Sequence, residues 1–547
     1  MMKHKTAKLY TASLITTAHV IPAKAGIQKG TGFRVKPGMT NCIRLMSSCI
    51  APGIIIFILM LMGIFSSEAL AQKPMPGGTL TIALSAEPPG LDPTTNPAAT
   101  IKRVVHYNLL ESLLKVNRKG DIVPALAKGY GVSKDGKEYT FHLPKEVKFH
   151  DGKLLTAGDV KYTFERLLDP KTAAPNRKYY EGIESIEVVN PLTVKFKVKK
   201  YDSNFLFNMA RGDAVIISRQ AADQLKSQPL GTGPFKLAEW KRGDSVIMVK
   251  NADYYVKGLP YLDKVVFKFI PDPSAQLAAL RAGDVDVIAY DLSPENALAL
   301  EKDPRFKVLR GHTTTEVIMA MNNSRKPFDD PKVRQAITLA VDRQAVIAGA
   351  MAGYGSPIGS HMDPTNPYYV DLSKLYPYQP EKAQQVLAEA GYPKGFEAVI
   401  KLPEPYAYAR RSGEIIADQL SRIGIKLNIE VIQWGQWIDR VFKNADYDLT
   451  VIGHAEPLDI EIYGRPNYYF RYNSPRFQDL MKKADEEMNF QSRKKIYAQA
   501  QRLIADDFVN VYLFVYPALP AMKKEVMNWW KDYPTIAVDA TEVYLQK

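Results

Sequence analysis

Cysteine is nearly missing from this 547-residue chain: the two present, Cys42 and Cys49, both lie close to the N-terminus. Beyond them, disulfide scaffolds, cysteine-rich zinc sites and a cysteine nucleophile are excluded. Long apolar runs are also scarce. The most pronounced, IIIFILMLMGIF at residues 54–65, falls short of the roughly 20 residues that a spanning helix needs. No block of like charges occurs, so nothing supports a nucleic-acid tail. What is present is an ordinary globular mixture, 46% apolar and 24% charged, with length for roughly two to four domains.

The net charge of +14 is unevenly spread. Residues 1–71 hold eight Lys or Arg and a single acid, Glu68; the remainder is only mildly basic. The run 54–65 fits the apolar region of an export signal, and Ala69-Leu70-Ala71 behind it is an A-x-A cleavage pattern. The mature chain is expected to begin at Gln72; the rival reading is an uncleaved anchor. Residues 1–38 are long and irregular for a signal peptide, so Met39, with Arg44 as the leading charge, is an alternative start. A lipid-modified Cys49 fails on position, because it precedes the apolar run.

The rest of the chain alternates strand and helix patterns. Strands are predicted at 78–84, 139–143, 192–198, 398–402, 425–432 and 447–452 from period-2 or continuous apolar runs. Helices are predicted at 101–114, 409–423 and 493–505, the last with Ser492 as a possible N-cap. Thr156 is expected to cap a helix presenting Val160, Phe164 and Leu167 on one face. Asp330-Pro331 reads as another start. Strand 398–402, helix 409–423 and strand 425–432 make a βαβ unit, and hence a covered, largely parallel sheet.

Several motifs run through residues 91–336. They are Leu91-Asp92-Pro93, Tyr107-x-Leu109-Leu110-Glu111, VKFHDGKLLTAGDVKYTF at 147–164 and Gly231-Thr232-Gly233-Pro234-Phe235. Gly258-Leu259-Pro260-Tyr261-Leu262-Asp263, Ala279-Leu280-x-x-Gly283-Asp284 and Pro327-Phe328-Asp329-Asp330-Pro331 follow. In this order they resemble the extracytoplasmic solute-binding proteins, family 5, of peptide, oligopeptide and nickel ABC transporters. The resemblance implies an α/β, periplasmic-binding-protein-like two-lobe clamp with an extra small domain, and ligand in the interlobe cleft. It divides the chain into lobe 1 (72–119, 230–323 and 516–547), a small inserted domain (120–229) and lobe 2 (324–515). The implied partners are a peptide or peptide-like solute and an inner-membrane ABC permease. A soluble periplasmic monomer is expected, with no catalytic residue, cofactor or nucleic acid.

The family holds a peptide ammonium with an acid after a strand of the second lobe. The matching stretch here is Gly453-His454-Ala455-Glu456-Pro457-Leu458-Asp459, which lacks the Gly-Asp usual in dipeptide binders. Glu456 is the first candidate and Asp459 the second, against the rival that Asp459 only complements a helix dipole. His454 is a candidate ligand contact. Arg410 and Arg411 are candidate carboxylate clamps, and Trp434 a candidate cleft wall. Tyr463 and Arg465 are weaker candidates. His106, His142, His150, His312, His361 and His454 show no metal-ligand spacing, so no metal site is expected. An exported hydrolase is the rival function, opposed by the absence of G-x-S-x-G and H-E-x-x-H. A ligand-sensing or chaperone protein on the same fold is a third. N-terminal sequencing of the exported protein is expected to start at Gln72; a chain that keeps 54–65 would make that run an anchor.

Overall fold

The computed structural model describes residues 74–290 and 292–546; the proposed signal segment lies outside them. Two large sheets organise this part. The first has seven strands in the order Phe306–Val308, Ala521–Lys523, Val287–Ile288, Thr79–Leu84, Lys264–Phe269, Ser245–Lys250 and Phe235–Lys241. At its centre Thr79–Leu84 runs parallel to both Lys264–Phe269 and Val287–Ile288. The second has six strands in the order Ser356–Pro357, Asn510–Ala518, Gly311–Met321, Leu449–His454, Phe396–Pro403 and Ile425–Ile432. Its βαβ unit is as the pattern predicts, but the sheet is mixed rather than largely parallel, since Ser356–Pro357, Asn510–Ala518, Gly311–Met321 and Leu449–His454 pair antiparallel in succession. Phe396–Pro403 pairs parallel with Ile425–Ile432 through eight residues, and helix Ala407–Ser421 covers them with Ile416 and Leu420 fully buried.

A smaller antiparallel sheet takes the order Gly129–Val132, Glu138–His142, Thr193–Val198 and Ile183–Asn190. Helix Ala157–Leu168 packs on it and buries Val160, Phe164 and Leu167. Thr156 and Asp159 form the capping box at its start, with Asp159 accepting from the Thr156 N–H at 2.9 Å. Asp330 caps helix Pro331–Ala340, with Pro331 in its first turn. Helix Phe490–Asp506 begins earlier than the pattern suggests. Asn489, not Ser492, is its cap, and accepts from the Ser492 N–H.

The helix predicted over 101–114 stops at Val105. Tyr107 takes a positive φ of 71°, and Asn108 donates to Val104 O and Val538 O while accepting from Ala540 N. A C-terminal segment more than 400 residues away thus ends a run whose apolar period alone would continue it. Strand Gly311–Met321, which the sequence reading places in the first lobe, pairs with Leu449–His454 and Asn510–Ala518. The chain therefore crosses between the sheets near 309–311 rather than at 323, and returns near 518–521.

The motifs lock to one another. Glu111 accepts from Thr232 Oγ1 at 2.9 Å, Tyr254 Oη at 2.9 Å and Tyr255 Oη at 3.0 Å. Gly231 and Gly233 lie against the backbone of Leu109, where an added Cβ would fall 2.0 Å from its carbonyl oxygen at Gly231. Only glycine lets these two segments close. Burial is the main influence on the Glu111 carboxyl and pushes it from 4.5 up to about 7, against the three donors. The folded state therefore holds this proton more tightly than the unfolded chain. The contribution is complete below pH 4.5 and is lost as pH rises to about 7. Denaturant titrations at pH 4.5 and 8 should show wild type losing about 3 kcal/mol more over this interval than Glu111→Gln. Parallel pH curves would refute the assignment.

Candidate functional site

Between the two large sheets lies a cleft of about 800 Å³. Several residues on each wall lie at or just past the carboxyl ends of strands, the usual position for ligands in α/β sheets. On the first side, Ala289 and Tyr290 follow Val287–Ile288. Tyr290 packs on Tyr533 with ring centroids 4.6 Å apart, and the Arg103 guanidinium lies 4.0 Å over the Tyr290 ring. The Arg103 Nε is buried without a hydrogen-bond partner.

On the second side, Tyr406 and Tyr408 follow Phe396–Pro403, Trp434 follows Ile425–Ile432, and Gly453 lies near the end of Leu449–His454. Trp434 is 37% exposed. It stacks on buried Trp437 at 5.0 Å and meets Tyr406 edge-on at 5.2 Å. Tyr408 Oη accepts from the Gly453 N–H at 3.1 Å. A Cβ on Gly453 would stand 2.8 Å from Thr315 Cγ2, so glycine is what lets the strand end lie this close. Across the cleft, Arg411 Nη1 donates to Glu295 Oε1 at 2.6 Å. This ion pair links helix Ala407–Ser421 of one lobe to helix Pro294–Glu301 of the other.

The sequence candidates separate. Trp434 and Arg411 line the cleft, and Arg410 is not among the described residues that do. Glu456 is largely exposed, stands 4.0 Å from Arg211 of the small domain, and lines the side pocket next to the cleft rather than the cleft itself. Tyr463 is fully buried core, donating to or accepting from His361 Nδ1 at 3.2 Å. Arg465 pairs with Glu461 on the surface.

His454 and Asp459 line a side pocket of about 250 Å³ that shares Trp434, Ile452, Gly453 and Ala455 with the cleft. Asp459 lies 2.9 Å from His361 Nε2 and 3.5 Å from His454 Nδ1. Burial works to raise the Asp459 carboxyl, yet the two imidazoles, His361 foremost, hold it well below the ordinary range. Asp459 is thus already engaged by two histidines. Arg103, Tyr290, Tyr533, Tyr408 and Glu295 were not among the sequence candidates, and His361 figured only among histidines without metal-ligand spacing. Tyr406 and Tyr408 had a local cue in Pro405-Tyr406-Ala407-Tyr408, whereas His361 had none.

Two lobes around a deep aromatic cleft define a solute-binding receptor. The family model for bacterial extracellular solute-binding proteins, family 5 (middle region), matches residues 121–469. The chain belongs to this family. It is 32% identical over 487 residues to heme-binding protein A of Haemophilus influenzae, covering 80% of this chain and 87% of that one. Among solved structures it is similar to the PBP AgaA of A. tumefaciens R10 in complex with agropinic acid. The TM-score is 0.69 at 32% identity, over 86% of this chain and 99% of that one. It is also similar to the ABC transporter-associated periplasmic binding protein DppA of Helicobacter pylori in complex with the peptide STSA. There the TM-score is 0.70 at 28% identity, over 86% and 99% of the two chains. Among the described residues no helix is long and apolar enough to cross a membrane.

The Glu295–Arg411 pair is solvent-exposed, so it contributes at most about 1 kcal/mol and is screened by salt. Glu295→Gln should leave the thermal midpoint nearly unchanged. In small-angle scattering at low salt it should give a more open mean shape than wild type, a difference that fades at 1 M salt. Superimposable profiles at low salt would show that the pair does not hold the lobes together.

Proposed function

We propose that this protein captures a peptide-like solute bearing a carboxylate and delivers it to an inner-membrane ABC permease, working in the periplasm after export. The observation that carries this is the charge of the cleft. Arg103 and Arg411 enter it from opposite lobes, Glu295 is the one acid among the described residues that line it, and the Arg103 Nε has no hydrogen-bond partner among the described residues. A guanidinium set between aromatic faces is suited to grip a carboxylate by two parallel hydrogen bonds. The volume falls within the roughly 300–1,000 Å³ usual for small-molecule sites. The tyrosine and tryptophan faces suit a planar or amide-containing body.

Agropinic acid in AgaA and the peptide STSA in DppA both carry an acid group, which fits this reading. Glu456 lines the side pocket beside the cleft and stands 4.0 Å from Arg211, so it stays a candidate for a cargo ammonium. Closure follows from ligand touching both lobes: only its differential affinity for the closed state can shift the equilibrium.

The test begins with mass spectrometry of small molecules released on denaturing the purified protein, where an acid is expected. Calorimetry with that acid should show Arg103→Met weakening binding by about tenfold to a hundredfold, the range for losing a hydrogen bond to a charged group. A neutral or purely cationic cargo, or unchanged affinity in the variant, would overturn the reading.

A further inference from the structure

Beyond the cleft, the structure brings together three side chains that the sequence keeps far apart. His361 follows strand Ser356–Pro357, His454 ends strand Leu449–His454, and Asp459 opens the short helical turn Asp459–Gly464. One donor atom from each lies within 4.8 Å of the other two. The facing atoms are His361 Nε2, His454 Nδ1 and the Asp459 carboxylate, with separations of 2.9 and 3.5 Å to the carboxylate oxygens. Two donors held at 2.0–2.1 Å from a tetrahedral ion stand about 3.3 Å apart, so the spacing is already near that of a coordination shell.

The far nitrogen of each ring is also held. His361 Nδ1 meets Tyr463 Oη at 3.2 Å, and His454 Nε2 meets Tyr469 Oη at 2.9 Å. Such outer hydrogen bonds fix the ring orientation of metal-ligating histidines. An independent observation points the same way. Glu316 stands directly opposite His454 in the ladder between Gly311–Met321 and Leu449–His454, so both side chains leave the same face of the sheet. Glu316 is 4% exposed, and its Oε2 is buried without a hydrogen-bond partner. A buried carboxylate oxygen with no donor is costly unless a positive charge accompanies it.

We propose that His361, His454 and Asp459 form a binding site for one divalent transition cation at the floor of the side pocket. Two imidazoles and a carboxylate suit borderline ions such as Zn²⁺ or Ni²⁺ and disfavour Mg²⁺ and Ca²⁺, which prefer all-oxygen shells. His454 and Asp459 line the side pocket that joins the cleft, which supplies a route of entry. Three protein donors leave a further coordination position. This revises the expectation of no metal ligation, which rested on local spacing. It stands independently of the cargo reading.

The test is calorimetry and equilibrium dialysis of the tag-free mature protein, stripped of metal, with ZnCl₂ and NiCl₂. One tightly bound ion per chain is expected, undisturbed by a hundredfold excess of MgCl₂. Asp459→Asn, which keeps the shape, should weaken binding at least a hundredfold. Tyr469→Phe should weaken it by about tenfold to a hundredfold, as loss of an outer-shell partner does. X-ray absorption of the loaded wild-type protein should show two imidazole ligands, and decides the matter even if the variants fold poorly. No stoichiometric binding by the wild type, unchanged affinity in Asp459→Asn, or a shell without imidazole would each overturn the proposal.

Discussion

Two chain segments, 306–321 and 510–523, run antiparallel to each other through both large sheets. In the first sheet Phe306–Val308 pairs with Ala521–Lys523; in the second Gly311–Met321 pairs with Asn510–Ala518. Between them the Leu309 N–H donates to Pro520 O at 3.0 Å. This two-stranded ribbon carries the chain from one lobe to the other and back. Gly311 lies at the crossing, where an added Cβ would fall 1.8 Å from Lys531 O. The ribbon keeps the lobes in register while leaving between them the space that becomes the cleft.

The polar design differs between the two sides. The cleft side of the second lobe is aromatic, with the Arg411 cation at its edge. The region behind it is a dense network of buried tyrosines, histidines and carboxylates. Tyr463 and Tyr469 are fully or almost fully buried, and both bond to histidines that face Asp459. In a low-dielectric interior such a network is stable only when each group has its partner. Glu316 Oε2 and Tyr512 Oη are buried there without a hydrogen-bond partner, so the network is incomplete at identifiable points.

The small domain adds a third contact to the clamp. Arg211, stacked over Tyr179 at 4.0 Å and bonded to Asp213, reaches towards Glu456. Arg493 of the second lobe donates to Tyr201 Oη at 2.8 Å. Glu456 thus has a protein cation at its margin as well as the side pocket that it lines. The competing cation comes from a segment nearly 250 residues earlier, which local sequence gives no means of anticipating.

Elements governed by short-range physics were legible in the sequence. The strand over 425–432, the capping box at Thr156 and Asp159, the start at Asp330-Pro331 and the buried stripe of Val160, Phe164 and Leu167 depend on side-chain period and local hydrogen bonds. Trp434 and Arg411 were legible as wall residues because each follows a strand that its own pattern reveals. Tertiary structure alone decided the early end of the helix at Val105, imposed by Asn108 bonding to the C-terminal segment. It alone decided the crossing near 309–311, since a strand's sheet is chosen by its partners. It also brought His361 to His454, because the geometry of a binding site depends on distances across space, while sequence spacing constrains only neighbours along one element.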